Sequence, residues 1–299
     1  MSNYLIQGET LTNIANAIRT KTGKTDSIAT ENMATEISGI AEYPLYDGAT
    51  EEINFNYEFN GNTYSVSSIG NVTADYITIP KTYNNLPITA IRANAFYNHS
   101  YVKGKVTIGS NITKIGSSCF RNTNITNLLI LGKNVTMETH AFFHNKKLTN
   151  VTILGGQVGD YSFRESSILE TVNLAEGVTY IGTSAFTQCV KISSMIIPDS
   201  VTTTGSEMFY GCYGLKTLKI GSGMTIIPQY MCAGCTGLQL IDFRSATSVP
   251  TLSNANAFSG IPTTCKIVVP DSLYNSWIVA SNWTTYASKI VKASEYTEA

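Results

Sequence analysis

Glu138, His140 and His144 fall within one short stretch, and Asp160 follows 22 residues after Glu138. Two acids beside two imidazoles are the groups that hold zinc or carry out general acid–base catalysis. Cys232 and Cys235 form a C-x-x-C, and Cys189 and Cys212 precede Cys235 at intervals of 23 residues. Such thiols could ligate metal or exchange disulfides, although one C-x-x-C without a second pair is a weak signal. The sequence holds no P-loop, no G-x-G-x-x-G and no G-x-S-x-G.

The elements that position these residues are repeats. Phe163, Phe186, Phe209 and Cys232 recur at separations of 23, 23 and 23, and a period of that size specifies a solenoid. Matching positions in adjacent coils stack within side-chain reach. In this register only one coil carries the Glu138 set, because its neighbours offer Gly116, Ser118, Gly182 and Ser184. The set therefore reads as solvated polar surface, and no catalytic residue, metal or cofactor is expected. Cys189, Cys212 and Cys235 each stand three residues after the repeat aromatic, which makes them a column of small buried hydrophobes.

Each coil from Asp75 onward carries a short strand with two inward apolar residues: Ile77 and Ile79, Val106 and Ile108, Leu128 and Ile130, Val151 and Ile153, Val172 and Leu174. Met195 and Ile197, Leu218 and Ile220, Ile241 and Phe243, and Ile267 and Val269 continue the series. Nine strands are thus expected to stack in parallel. A second apolar segment crosses each coil, and Gly116, Gly159, Gly182 and Gly205 precede the aromatic by four residues. These glycines are expected to supply a backbone angle that only glycine tolerates. The aromatic then plugs the coil on a short helical turn.

The motif resembles the BspA-like leucine-rich repeats, whose units read about L-x-x-V-x-I-P-x-x-V-T-x-I-G-x-x-A-F-x-x-C. Ala-Phe recurs here at Ala95-Phe96, Ala141-Phe142, Ala185-Phe186 and Ala257-Phe258, and the resemblance spans about 75–270. It implies a β-rich, right-handed solenoid of about 23-residue units with a parallel sheet.

Four segments are expected. Residues 1–42 read as a helical hairpin with an apolar face of Leu11, Ile14, Ile18, Met33 and Ile37 at helical spacing. Residues 43–74 read as a linker and a β-hairpin, with Asn60-Gly61 as a type I′ turn. The solenoid occupies 75–270. A helical cap then fills 271–299, capped by Asp271 or Ser272 and carrying Trp277 and Trp283.

Charged residues make up 14% of the chain and the formal net charge is −1, so nucleic acid and anionic membranes are not expected partners. No apolar run reaches spanning length, so membrane insertion is not expected. The N-terminus lacks a basic n-region and an apolar h-region, so no secretory signal is expected. A contact surface is expected where the copies differ. The residue after the aromatic is Tyr97, Arg121, Phe143, Arg164 and Tyr210 in five of the units, the composition of binding hot spots. The outward strand face, with Asn150, Thr171, Asn173 and Lys219, is the second candidate.

The leader from Tyr4 to Ile37, with its core T-L-x-x-I-A-x-A-I-R-x-K-T-G at 10–23, is similar to leaders on structural and tail-associated proteins of bacteriophages. That resemblance implies a non-enzymatic virion protein, a tail or head fibre. It would attach to other virion proteins through 1–42 and bind a host surface protein or glycan through its repeats. The alternative is a BspA-like adhesin on a bacterial cell surface. A homo-oligomer is compatible with either, although 1–42 contain no sustained heptad.

Overall fold

The computed structural model describes residues 54–70 and 75–297, all within one compact unit, Ile53–Ala299. The helical hairpin expected over 1–42, including Leu11, Ile14, Ile18, Met33 and Ile37, lies outside the described residues.

The unit is a parallel β-solenoid. All nine expected strands form, because each sets two apolar residues one apart on its inward face, a period that suits a sheet with a buried face. They fall into two sheets of five. The first holds Tyr76–Thr78, Lys103–Ile108, Asn124–Ile130, Asn150–Ile153 and Thr171–Leu174. The second holds Ser194–Ile197, Thr217–Ile220, Leu240–Asp242 and Lys266–Val269, together with Ile290–Lys292. The ladder is interrupted at the coil whose inward Leu174 is half buried, whereas Ile153 and Ile197 are buried. Along a different side of the coil, short strands from Leu86–Ile91 to Thr203–Thr204 form a further parallel row.

The hairpin Phe55–Phe59 and Tyr64–Ile69 joins that row, with Val66 beside Ile91. Its turn is not the expected two-residue type I′. Phe59 pairs with Tyr64, their ring centroids 5.3 Å apart, which leaves four residues in the loop, closed by Asn60 N–H to Thr63 O at 2.8 Å. Pairing of the aromatic rings across the strands thus sets the register.

The repeat phenylalanines form one stack. Phe96, Phe120, Phe142, Phe163, Phe186 and Phe209 lie face to face with centroids 4.3 to 5.7 Å apart, all fully buried. The turn carrying each one is not helical. The residues two before and two after the aromatic adopt left-handed φ, as in Ser118 and Asn122, His140 and His144, and Ser184 and Gln188. Left-handed backbone costs a non-glycine residue about 1–2 kcal/mol. The geometry persists because alternate N–H groups then point along the solenoid axis to the next coil. His140 N–H reaches Asp160 O at 2.8 Å, Phe142 N–H reaches Ser162 O at 3.0 Å, and His144 N–H reaches Arg164 O at 2.9 Å.

Glycines four residues before the aromatic do not serve a special angle, since none of Gly116, Gly159, Gly182 and Gly205 has positive φ. Close approach is the reason. A Cβ on Gly205 would stand 2.2 Å from Thr183 N, and one on Gly116 2.3 Å from Ala93 N. At these four positions the preceding coil passes too near for a side chain, whereas Arg92 and Glu138 occupy the same column before Phe96 and Phe142.

After Pro270 the expected helices form only as short helical turns, within one more, irregular turn of the solenoid. It comprises 3-10 turns at Asp271–Leu273 and Trp283–Lys289, a four-residue α-helix at Tyr274–Trp277, and the strand Ile290–Lys292. Ile290 pairs with Ile267, 23 residues back, so the repeat period still governs the register. Asp271 is not a helix cap; its carboxylate accepts the Ser294 N–H at 3.0 Å. Trp277 and Trp283 are buried against Phe243, at centroid distances of 5.1 and 5.6 Å.

Candidate functional site

The four residues that suggested metal or acid–base chemistry each have a separate partner. Glu138 pairs with Lys114 Nζ at 2.7 Å and accepts the Ser117 N–H at 2.9 Å. The Lys114 hydrogen bond, helped by Ser117, holds its carboxyl below the usual range against partial burial. Asp160 accepts the Thr183 N–H at 2.8 Å and the Tyr180 hydroxyl at 3.1 Å. His144 Nδ1 lies 3.0 Å from Glu165 Oε2, and His140 stacks on Tyr161 with centroids 4.9 Å apart. Among the described residues no group of three or more His, Cys, Asp or Glu could hold a metal ion.

The cysteine column performs a backbone task. Cys189, Cys212 and Cys235 donate S–H to the carbonyls of Phe163, Phe186 and Phe209 in the preceding coils, at 3.1, 3.1 and 3.0 Å. Asn145 fills the same position earlier in the chain and donates to Phe120 O at 2.9 Å. The carbonyls of Phe163, Phe186 and Phe209 also accept the backbone N–H of Ser166, Cys189 and Cys212, each at 3.1 Å, so the thiol occupies the second lone pair of a buried oxygen. All six cysteines are free and buried. Burial raises the thiol pKa of Cys119, Cys189, Cys212 and Cys232, and pushes Cys265 to about 11. Thiols held protonated in this way are poor nucleophiles and poor metal ligands.

The turn edge carries polar and aromatic groups that the scaffold does not consume. Arg121 sits over the Tyr97 ring at 5.5 Å and over the Phe143 ring at 4.8 Å, one from each adjacent coil. Phe143 in turn meets His140 edge to face at 5.3 Å and His144 at 5.7 Å. In the next coil Arg164 lies over Tyr161 at 5.8 Å, and its Nε is 3.5 Å from Glu165 Oε1. That Nε is buried without a hydrogen-bond acceptor. Burial lowers the His140 pKa, and the positive charges of Arg121 and Arg164 lower it further against Asp160.

Tyr97, Arg121, Phe143 and Arg164 thus form one strip with His140, His144 and Tyr161. Tyr210 is exposed on the same edge but stands apart from it, because Thr187 in the intervening coil is buried. The strand face divides between the two sheets. Asn150 pairs with Thr171 and Thr152 with Asn173 in the first, whereas Lys219 lies beside Asp242 in the second. Its polar groups also bond to one another, as in Asn150 Nδ2 to Thr149 Oγ1 at 2.8 Å. Tyr161 was not singled out from sequence. Its signal is the column two before the aromatic, where Asn94, Ser118, His140 and Tyr161 succeed one another with left-handed φ. That geometry is invisible without the inter-coil hydrogen bonds that impose it.

A family model described as a BspA type leucine rich repeat region (6 copies) matches residues 70–157 and 156–276. No curated protein matches the chain. Among solved structures the chain is similar to a leucine rich repeat protein of T. pallidum, at 18% identity over 74% of this chain and 91% of that one, with a TM-score of 0.48. It is also similar to a leucine rich cell surface protein from Faecalibacterium prausnitzii A2-165, at 20% identity over 81% and 94%, TM-score 0.34. A third is the pneumococcal vaccine antigen PcpA, at 14% identity over 82% and 96%, TM-score 0.40.

Proposed function

The chain belongs to the BspA-type leucine-rich repeat family, and we propose that it is a non-enzymatic recognition protein of a bacterial cell surface, displaying its solenoid to bind a protein or glycan on another surface. One observation carries the reading. The acids and thiols that suggested chemistry serve the scaffold, whereas the Tyr97–Arg121–Phe143 sandwich is outward and satisfies no backbone group. Aromatic and arginine side chains held rigid in this way are the usual anchors of contact surfaces. No helix among the described residues is long and apolar enough to cross a membrane.

A second reading, a bacteriophage tail or head appendage, is favoured by the leader motif at 10–23. In that case residues 1–42 attach to other virion proteins and the repeats face the host.

An antibody against the solenoid separates the two when applied to intact cells of the encoding bacterium and to purified phage particles. Labelled cells support the first reading, and label confined to particles replaces it with the second. Glycan cleavage abolished by Glu138→Ala or Asp160→Ala would overturn a non-enzymatic role.

A further inference from the structure

Arg121 makes no ion pair among the described residues, although its guanidinium is held over two rings. Glu165, the acid on the same edge in the coil of Arg164, is occupied by His144 and Arg164. A guanidinium whose faces rest on aromatic rings keeps its in-plane N–H groups free, aligned for a carboxylate and already restricted in motion. Two coils further on, the Arg164 Nε is a buried donor with no acceptor, which calls for a partner. Burial first, and then the charges of Arg121 and Arg164, lower the His140 pKa, which agrees with two cations acting on one spot.

From this arrangement, and resting on the recognition role proposed above, we infer that the strip from Tyr97 to Arg164 binds an acidic glycan, with Arg121 holding a sugar carboxylate.

Two features select a glycan over an acidic peptide. An extended peptide gains affinity by pairing its main chain, but the strip has little main chain to offer. Asn98 N–H is given to Arg121 O, Asn122 N–H to Phe143 O, and His144 N–H to Arg164 O, at 3.0, 3.0 and 2.9 Å. Beside the rings stand planar polar side chains instead. Asn98 and Asn122 are exposed and share one hydrogen bond of 2.9 Å, which leaves further amide donors and acceptors for hydroxyl groups. The spacing also agrees. The phenylalanines beneath the strip step by 5.0 Å from Phe120 to Phe142 and 5.4 Å from Phe142 to Phe163, close to the length of one pyranose unit. A polysaccharide lying along the axis therefore presents about one sugar per coil, and Arg121 and Arg164 address alternate sugars.

The test uses the full chain and a hyaluronate oligosaccharide, which carries an acid on alternate sugars. The same oligosaccharide with its carboxyls reduced and a polyglutamate peptide are the comparisons. By titration calorimetry the chain should bind hyaluronate, more weakly as salt rises, and should not bind the reduced form. Arg121→Gln should weaken binding about tenfold or more, Arg121→Lys less because it keeps the charge and loses the fork, and Arg164→Gln about threefold. Lys219→Gln, which removes a charge from the strand face, should change nothing. Equal binding of the reduced oligosaccharide, or an unaltered affinity in folded Arg121→Gln, would overturn the inference whatever the variants' stability. Preference for polyglutamate would overturn it in favour of an acidic protein. If the chain ignores hyaluronate but labels cells or binds a neutral glycan, this inference fails and the recognition role stands. If it binds no surface at all, both fail.

Discussion

The Tyr286 hydroxyl lies 3.1 Å from the backbone nitrogen of Phe258 and accepts its N–H. In each earlier coil the aromatic's N–H goes to the following coil, as in Phe209 to Met231 O at 2.8 Å and Cys232 to Ala257 O at 2.9 Å. Phe258 has no such coil after it. Tyr286 supplies the missing acceptor and donates its own proton to Ala255 O. The end of the ladder is thus closed by one phenol.

Tyr286→Phe should therefore cost about 1–3 kcal/mol, since it strands a buried N–H and removes a donor from a carbonyl. Hydrogen exchange should quicken first at Phe258. Unchanged exchange there, with an unchanged melting temperature, would remove the capping role.

Gly205→Ala should destabilise the solenoid by about 1–3 kcal/mol, because the new methyl meets the backbone of Thr183 and the coils cannot spread without breaking their ladder. Chemical denaturation measures this. A substitution that leaves the midpoint in place would show that the coils tolerate a wider spacing at this column.

Cys212→Ala should cost about 1 kcal/mol by removing the second donor to Phe186 O, which keeps the Cys189 N–H, and by opening a small void, whereas Cys212→Ser keeps a donor and should cost less. In the native protein all six thiols should react with a thiol reagent only as fast as the chain opens. Rapid native reaction at Cys232 or Cys235 would contradict their burial.

His140 gives a pH dependence whose sign is set by its lowered folded pKa. The unfolded chain titrates near 6.5 and takes up its proton first as pH falls. Stability from this residue is present above that value and lost as pH drops through the folded pKa. Asp160 opposes the shift, while Arg121 and Arg164 reinforce it. Melting temperatures between pH 7 and 5 should fall less steeply in His140→Phe. Identical slopes would mean that the imidazole titrates normally.

The 23-residue period, the inward pairs such as Val106 and Ile108, and the column from Cys189 to Cys235 were legible because each depends on spacing along the chain alone. The expected role of the glycines was wrong in an informative way. A clash between Gly205 and Thr183 is contact between coils, whereas a backbone angle is a local property. The left-handed φ expected of glycine belongs instead to residues such as Ser118, His140 and Tyr161, which their hydrogen bonds to the next coil hold in place.

Sequence alone therefore determined the solenoid, its register and the candidate columns, because periodicity dictates which residues must share a buried face. It left two binding faces equal and offered Glu138, His140, His144 and Asp160 as a set. Only the tertiary structure could separate them, because partners 20 to 25 residues apart become neighbours when coils stack. That stacking gives Glu138 to Lys114 and Asp160 to Thr183. It leaves Arg121 between two rings with no carboxylate of its own among the described residues.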